Sequence, residues 1–121
     1  MKITLTNKES VSLAVLEGNG ILISTIQDAV DLLGNADYLG SRVAVVSEEQ
    51  LNPDFFNLRT RLAGDILQKF SNYRMKMVII GDFAKYESKS LRDFIYESNN
   101  TGNVLFVSSL EEAIQKLKKG L

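Results

Sequence analysis

Cysteine and histidine are both absent from this 121-residue chain, and proline occurs once, at Pro53. Without cysteine there is no disulfide framework, no thiolate nucleophile and no thiolate metal ligand, which suits a reducing compartment. Without histidine the commonest general base and the commonest metal ligand are missing too, so catalytic triads and zinc centres are excluded. No apolar run approaches bilayer-spanning length, and nothing near the start combines a basic end, an apolar stretch and a small-residue cleavage site. A soluble, cytoplasmic protein with no membrane partner is expected. Excess positive charge is lacking as well: 14 basic and 15 acidic side chains leave a formal net charge of -1. General nucleic-acid binding depends on clustered Lys and Arg neutralising phosphates, so no nucleic-acid partner is expected. The charge is uneven, with four basic and eight acidic residues in 1–60 against ten and seven in 61–121, which leaves room for a basic edge.

The 45% hydrophobic content suffices for one continuous core, and no repeat, low-complexity tract or linker divides the chain. One domain over residues 1–121 is expected. Lys2 to Thr6 alternates polar with apolar, and Val11, Leu13 and Val15 repeat that period after the turn-prone Asn7-Lys8-Glu9-Ser10. These segments predict paired outer strands. Glu17-Gly18-Asn19-Gly20 suits a tight hairpin, which predicts a third strand at Ile21-Leu22-Ile23.

The period then changes from two to between three and four. Ile26, Ala29, Val30 and Leu33 predict a helix, capped by Ser24 with Gln27 and ending near Gly34 or Gly40. Val43 to Val46 predicts a central strand covered on both faces. Phe55, Leu58, Leu62, Ile66 and Phe70 form one helical stripe, with a start between Pro53 and Thr60. Strands at Met77–Ile80 and Val104–Val107 flank a helix marked by Leu91, Phe94 and Ile95. Ser108 and Glu111 predict a capping box for a last helix, with Lys116, Lys118 and Lys119 near its negative end. The fold class is α/β: a mixed β-sheet with N-terminal antiparallel hairpins followed by βαβαβα units. Loops after the strands, at Ser47 to Asn52 and Gly81 to Lys89, should emerge at one end of the sheet, where open α/β sheets place ligands.

The segments VLEGNGILISTIQDAVDLL (15–33), NPDFFNLRTRLAGDILQKF (52–70), MVIIGD (77–82) and KSLRDFIYESN (89–99) resemble a small bacterial family known only as a domain of unknown function, DUF 4180. The resemblance covers nearly the whole chain and implies no particular activity. More distantly, the element order is similar to the sulfate-transporter and anti-sigma-factor-antagonist (STAS, SpoIIAA-like) domain, a regulatory fold that binds protein partners or small ligands. That family carries a phosphorylatable serine at the start of the helix after the central strand, within an Asp-Ser-Ser-Gly type motif. The nearest position here is Thr60, in Leu58-Arg59-Thr60-Arg61-Leu62, and the motif is missing.

Few constellations carry chemistry. Gly18 and Gly20 make a Gly-x-Gly, but Ile23 stands at the third glycine position and the P-loop pattern is absent, so no cofactor is expected. Asp82 follows a strand, where phosphoacceptor and metal-binding carboxylates sit in some sheet proteins, with Glu48 and Glu49 as its nearest acidic companions. The plain alternative is that Asp82 caps a turn. Asp82 to Arg92, DFAKYESKSLR, gathers Lys85, Lys89 and Arg92 around Ser88 and Ser90 at a helix start, with Tyr86 able to stack on a ring. This grouping suits a small anionic ligand; otherwise Ser88 or Ser90 simply caps the helix.

Thr60, between Arg59 and Arg61, is a candidate for modification or partner contact. Adjacent Phe55 and Phe56 cannot both face one core on a regular element, so one of them is available to a protein partner or a second copy, unless an irregular segment buries both. The expected function is a STAS-like regulatory or protein-interaction module, with the contact surface on Leu51–Arg61 and Asp82–Arg92. An anionic-ligand sensor is the first alternative. An enzyme using Asp82 with Lys85, Tyr86 or Lys89 is the second.

Overall fold

A computed structural model describes residues 1–119 and shows a mixed α/β architecture in which one sheet has helices on both faces. Of the span expected to form one domain, Gly120 and Leu121 lie outside the described residues. The chain opens with β1 (Lys2–Lys8) and β2 (Val11–Glu17), joined by Glu9 and Ser10 at φ 51° and 70°. Two successive positive φ values make the tight hairpin turn whose twist matches that of its strands. β2 is an interior strand, so of the two strands expected to lie on the outside only β1 does. Then follow α1 (Ile26–Tyr38), β3 (Val43–Ser47), α2 (Leu62–Asn72), β4 (Lys76–Ile80), α3 (Lys89–Thr101), β5 (Val104–Val107) and α4 (Leu110–Lys119). The sheet order is β1-β2-β3-β4-β5, antiparallel between β1 and β2 and parallel thereafter.

The parallel strands advance one position at a time in one direction. Because crossovers of this kind are right-handed, the three connecting helices fall on one face of the sheet. Ala14 and Leu16, Ala44 and Val46, Met77 and Ile79, and Val104 and Phe106 point to that face, against α1, α2 and part of α3. The alternate residues Leu13, Val43, Val45, Val78, Leu105 and Val107 point the other way, against Ala113, Ile114 and Leu117 of α4. Covering both faces is why β3, β4 and β5 read as unbroken apolar runs.

Four local expectations need correction. Ile21–Ile23 is not a strand: Ile23 makes a single parallel bridge to Leu51, and the N–H groups of Leu22 and Ile23 both donate to the Gln50 carbonyl, at 2.8 and 2.9 Å. The buried Gln50 side chain in turn holds the end of β2, donating to the carbonyls of Leu16 and Gly18 at 3.1 and 2.9 Å. The opening therefore holds one hairpin. The cap of α1 is Thr25 with Asp28, one residue later than Ser24 and Gln27 suggest, because Asp28 accepts from the N–H groups of both Ser24 and Thr25. At α4 the Ser109 hydroxyl accepts from the Glu112 N–H, and Glu112 accepts from the N–H of Ser108, so the capping pair is again shifted by one.

The fourth correction concerns α2, which begins only at Leu62. Pro53–Phe56 and Leu58–Thr60 are separate 3-10 turns, started by the side chains of Asn52 and Asn57. Thr60 locks them together, its hydroxyl donating to the carbonyls of Asp54 and Asn57 at 2.7 and 2.8 Å. Arg61, at φ 65°, then turns the chain into α2. These irregular turns let Phe55 enter the core, 1% exposed, while Phe56 covers it half-buried, so neither ring is left fully in solvent.

Candidate functional site

The two segments expected to form a surface meet at the C-terminal ends of β3 and β4. The register pairs Ser47 with Ile80, so Glu48 and Gly81, the next residues, leave the sheet side by side. Glu48 is the hub. Its carboxylate accepts from the Tyr86 hydroxyl, forms a 2.8 Å ion pair with Lys85 and accepts from the Asp82 N–H at 3.3 Å. Its side chain is only 15% exposed, a low value for a surface carboxylate. Burial works to raise the Glu48 pKa. The hydrogen bonds from Lys85 and Tyr86, the charge of Lys85 and the Asp82 N–H outweigh it and hold the carboxyl below its ordinary value. Tyr86 is pushed the other way, well above the usual phenol range, by burial and by the adjacent Glu48 anion.

Gly81 makes the close approach possible. A Cβ there would lie 2.7 Å from Glu48 Cβ and Oε1, closer than a methyl group can sit, and a tight 3.1 Å from Phe83 Cζ. Above this floor the Phe56 ring stacks on Tyr86, with centroids 5.2 Å apart and planes 15° from parallel. The pair continues through Phe83, edge-on to Phe106, so the surface aromatics rest on a core strand.

Two hollows flank the stacked pair. One, of about 260 Å³, lies among Ile21, Glu48, Glu49, Leu51, Pro53, Phe56 and Tyr86. The other, of about 520 Å³, lies among Phe56, Asn57, Leu58, Arg59, Ser88 and Ser90. Leu51–Arg61 and Asp82–Arg92 thus form one surface, with Phe56 lining both hollows.

The individual side chains divide differently from the sequence grouping. Lys85 turns to Glu48, and Lys89 pairs with Asp93 one turn along α3 at 2.8 Å. Arg92 is exposed on α3, and Ser90 lines the larger hollow. The Ser88 hydroxyl caps α3 by accepting from the Leu91 N–H at 3.2 Å. Asp82 is exposed, and its carboxylate accepts from the Ala84 N–H at 3.2 Å, a local turn bond. Arg59 is exposed beside the larger hollow, Arg61 is exposed at the entry to α2, and the Thr60 hydroxyl is held within its own turns. Glu48 and Gln50 carry the organisation. The usable sequence signal was a carboxylate directly after the central strand with a glycine directly after its neighbour.

Among the described residues no three or more acidic side chains cluster so as to hold a metal ion, and no helix is long and apolar enough to cross a membrane. Fold and site together define a small α/β domain with an aromatic-lined surface at the C-terminal ends of its parallel strands. Residues 8–117 match the family model described as Domain of unknown function (DUF4180), and the chain belongs to that family. Comparison with curated proteins gives no match, and neither does comparison with solved structures.

Proposed function

We propose that this chain is a regulatory protein-interaction module without catalysis, acting in the cytoplasm, with Phe56, Leu58, Arg59 and Arg61 facing its partner over the floor of Tyr86 and Phe83. The observation that carries the proposal is the Phe56–Tyr86 stack, which joins two distant segments into one aromatic patch with Arg59 lining the hollow beside it. Interfaces favour this composition: aromatic and Arg side chains are enriched in interface cores and among the residues that carry most of the binding energy. The likeness to the sulfate-transporter and anti-sigma-factor-antagonist domain belongs to the same proposal as an analogy of element order. Control by phosphorylation at Thr60 has less support, since its hydroxyl already makes two hydrogen bonds that a phosphate would break.

A second proposal is a small anionic ligand held at Arg59, Ser88 and Ser90. The larger hollow beside the start of α3 favours it. Acid–base chemistry by Asp82, Lys85 or Tyr86 has the least support. Tyr86 holds its proton too tightly to release it near neutral pH, and Lys85 is committed to Glu48.

Site-specific photocrosslinking in cells distinguishes these. A photoreactive residue at position 59 should capture a discrete partner, one at Tyr38 should not, and Phe56→Ala should abolish the capture. Equal capture from both positions would refute the interaction surface. A thermal shift with phosphorylated metabolites that disappears in Arg59→Ala would favour the ligand proposal instead.

A further inference from the structure

The two edges of the sheet are treated differently. On β5 the carbonyls of Asn103 and Val107 accept from Met77 and Gly81 of the β4 side, so the main-chain groups of Phe106, between them, point outward. Asn99 of α3 takes both: its amide donates to the Phe106 carbonyl at 3.2 Å and accepts from the Phe106 N–H at 2.7 Å. A side chain thereby takes the place of the missing neighbouring strand at Phe106 and interrupts that edge.

The β1 edge has no such cover among the described residues. The Ser12 carbonyl accepts from Ser41 and the Leu16 carbonyl from Gln50, residues that flank β3, so Ser12, Ala14 and Leu16 present their main chain to β3. Their partners across the hairpin are Asn7, Leu5 and Ile3. In an antiparallel ladder such partners turn their own N–H and C=O away from the shared seam. Ile3, Leu5 and Asn7 therefore offer a row of donors and acceptors outward. β1 is regular over its whole length, with no bulge in its register and no proline, and Leu5 is 38% exposed beside the half-buried Ile3.

We propose that β1 is a self-association edge, pairing antiparallel with β1 of a second copy about a two-fold axis through Thr4. A second copy fits because the strand is self-complementary in that register. Ile3 lies opposite Leu5 of the partner on both sides of the axis, Thr4 opposite Thr4, and Lys2 opposite Thr6. Shifting the axis to Leu5 would lengthen the overlap but set Lys2 against Lys8, and like charges directly opposite are destabilising. The lysines thus disfavour the longer register, the doubled Ile3–Leu5 apolar pair favours the one through Thr4, and the product is a continuous ten-stranded sheet. So short a seam buries less than a standard interface, so the dimer is weak and concentration-dependent.

The chain has no cysteine, so a single introduced thiol reports the register directly. At the axis two Cα atoms lie about 4.5 Å apart, within disulfide reach, whereas two copies of position 6 lie roughly 13 Å apart. Thr4→Cys, at an exposed position, should oxidise to a covalent dimer at least ten times faster than Thr6→Cys, each checked for native circular dichroism. Sedimentation of the unaltered protein should show average mass rising toward twice the monomer with concentration. Equal crosslinking at positions 4 and 6, or a monomer at every concentration, would overturn the proposal. Neither result bears on the Phe56–Tyr86 surface, which lies at a different part of the fold.

Discussion

The Tyr86 ring lies flat on that of Phe56 while its hydroxyl donates to Glu48, so one phenol ties the turns after β3 to the loop after β4. Stacking holds the ring plane and the carboxylate holds its tip. The loop between β4 and α3 is consequently anchored to the sheet although most of its residues are exposed.

Removing the hub should loosen that loop. Glu48→Ala deletes the acceptor for Tyr86, Lys85 and the Asp82 N–H together. A loss of about 1–3 kcal/mol is expected, toward the lower end because Lys85 is more than half exposed and already screened by water. Denaturant unfolding measures the loss, and amide exchange at Ala84 to Glu87 should accelerate while β5 stays protected.

The same residue sets an acid limb. Because the folded pKa of Glu48 lies below its ordinary value of 4.5, the unfolded chain binds the proton more readily. The Glu48 contribution to stability is therefore complete above the ordinary value and is lost as pH falls through the folded one. The stability difference between the unaltered protein and Glu48→Gln should be constant near neutrality and shrink below about pH 4.5. Tyr86 has the opposite sign: its pKa is raised above 10, so its contribution is complete below pH 10 and lost above it. The ultraviolet phenolate titration of the unaltered protein minus that of Tyr86→Phe should have its midpoint above pH 10.

Two glycines should respond oppositely to alanine. Gly81→Ala forces a methyl group to 2.7 Å from Glu48 and should cost about 1–3 kcal/mol as the strand ends are pushed apart. Gly64, inside α2 with nothing within 4 Å of its would-be Cβ, should gain about 0.5–1 kcal/mol from the same change. Thermal and chemical unfolding of the pair checks both signs.

Thr60→Val keeps the shape but deletes the hydroxyl that bonds the carbonyls of Asp54 and Asn57. It should cost about 0.5–1.5 kcal/mol, with Thr60→Ser recovering most of it. If Thr60→Val equals the unaltered protein in urea unfolding, the hydroxyl has no structural role and is free for another.

Asn99→Ala should open the β5 edge. Beyond about 1 kcal/mol of lost stability, the N–H and C=O of Phe106 become available to other chains, and light scattering at elevated concentration should rise.

What the sequence determined by itself was the order of elements and the chemistry ruled out. Val43–Val46, Met77–Ile80 and Val104–Val107 read as strands from their unbroken apolar runs, and the near-3.6 rhythm located α1, α3 and α4 without fixing where α1 ends or where α3 begins and ends. The bulk of the surface was legible too, because loops leaving neighbouring parallel strands must emerge at one end. Local periodicity reports which side of an element meets the core, but not what it meets there. Ile21–Ile23 has the composition of a strand and becomes a strap, because Gln50 captures its main chain before another strand can. The helical stripe from Phe55 to Phe70 breaks at Thr60 for a similar reason: the side chains of Asn52, Asn57 and Thr60 outbid a continuous helix for the backbone groups. Only the tertiary structure decided that Glu48 rather than Asp82 is the hub, since that follows from the β3–β4 register and the space left by Gly81. It also decided that Asn99 caps the Phe106 main chain on one edge while β1 leaves the other open, a consequence of strand order that no spacing along the chain encodes.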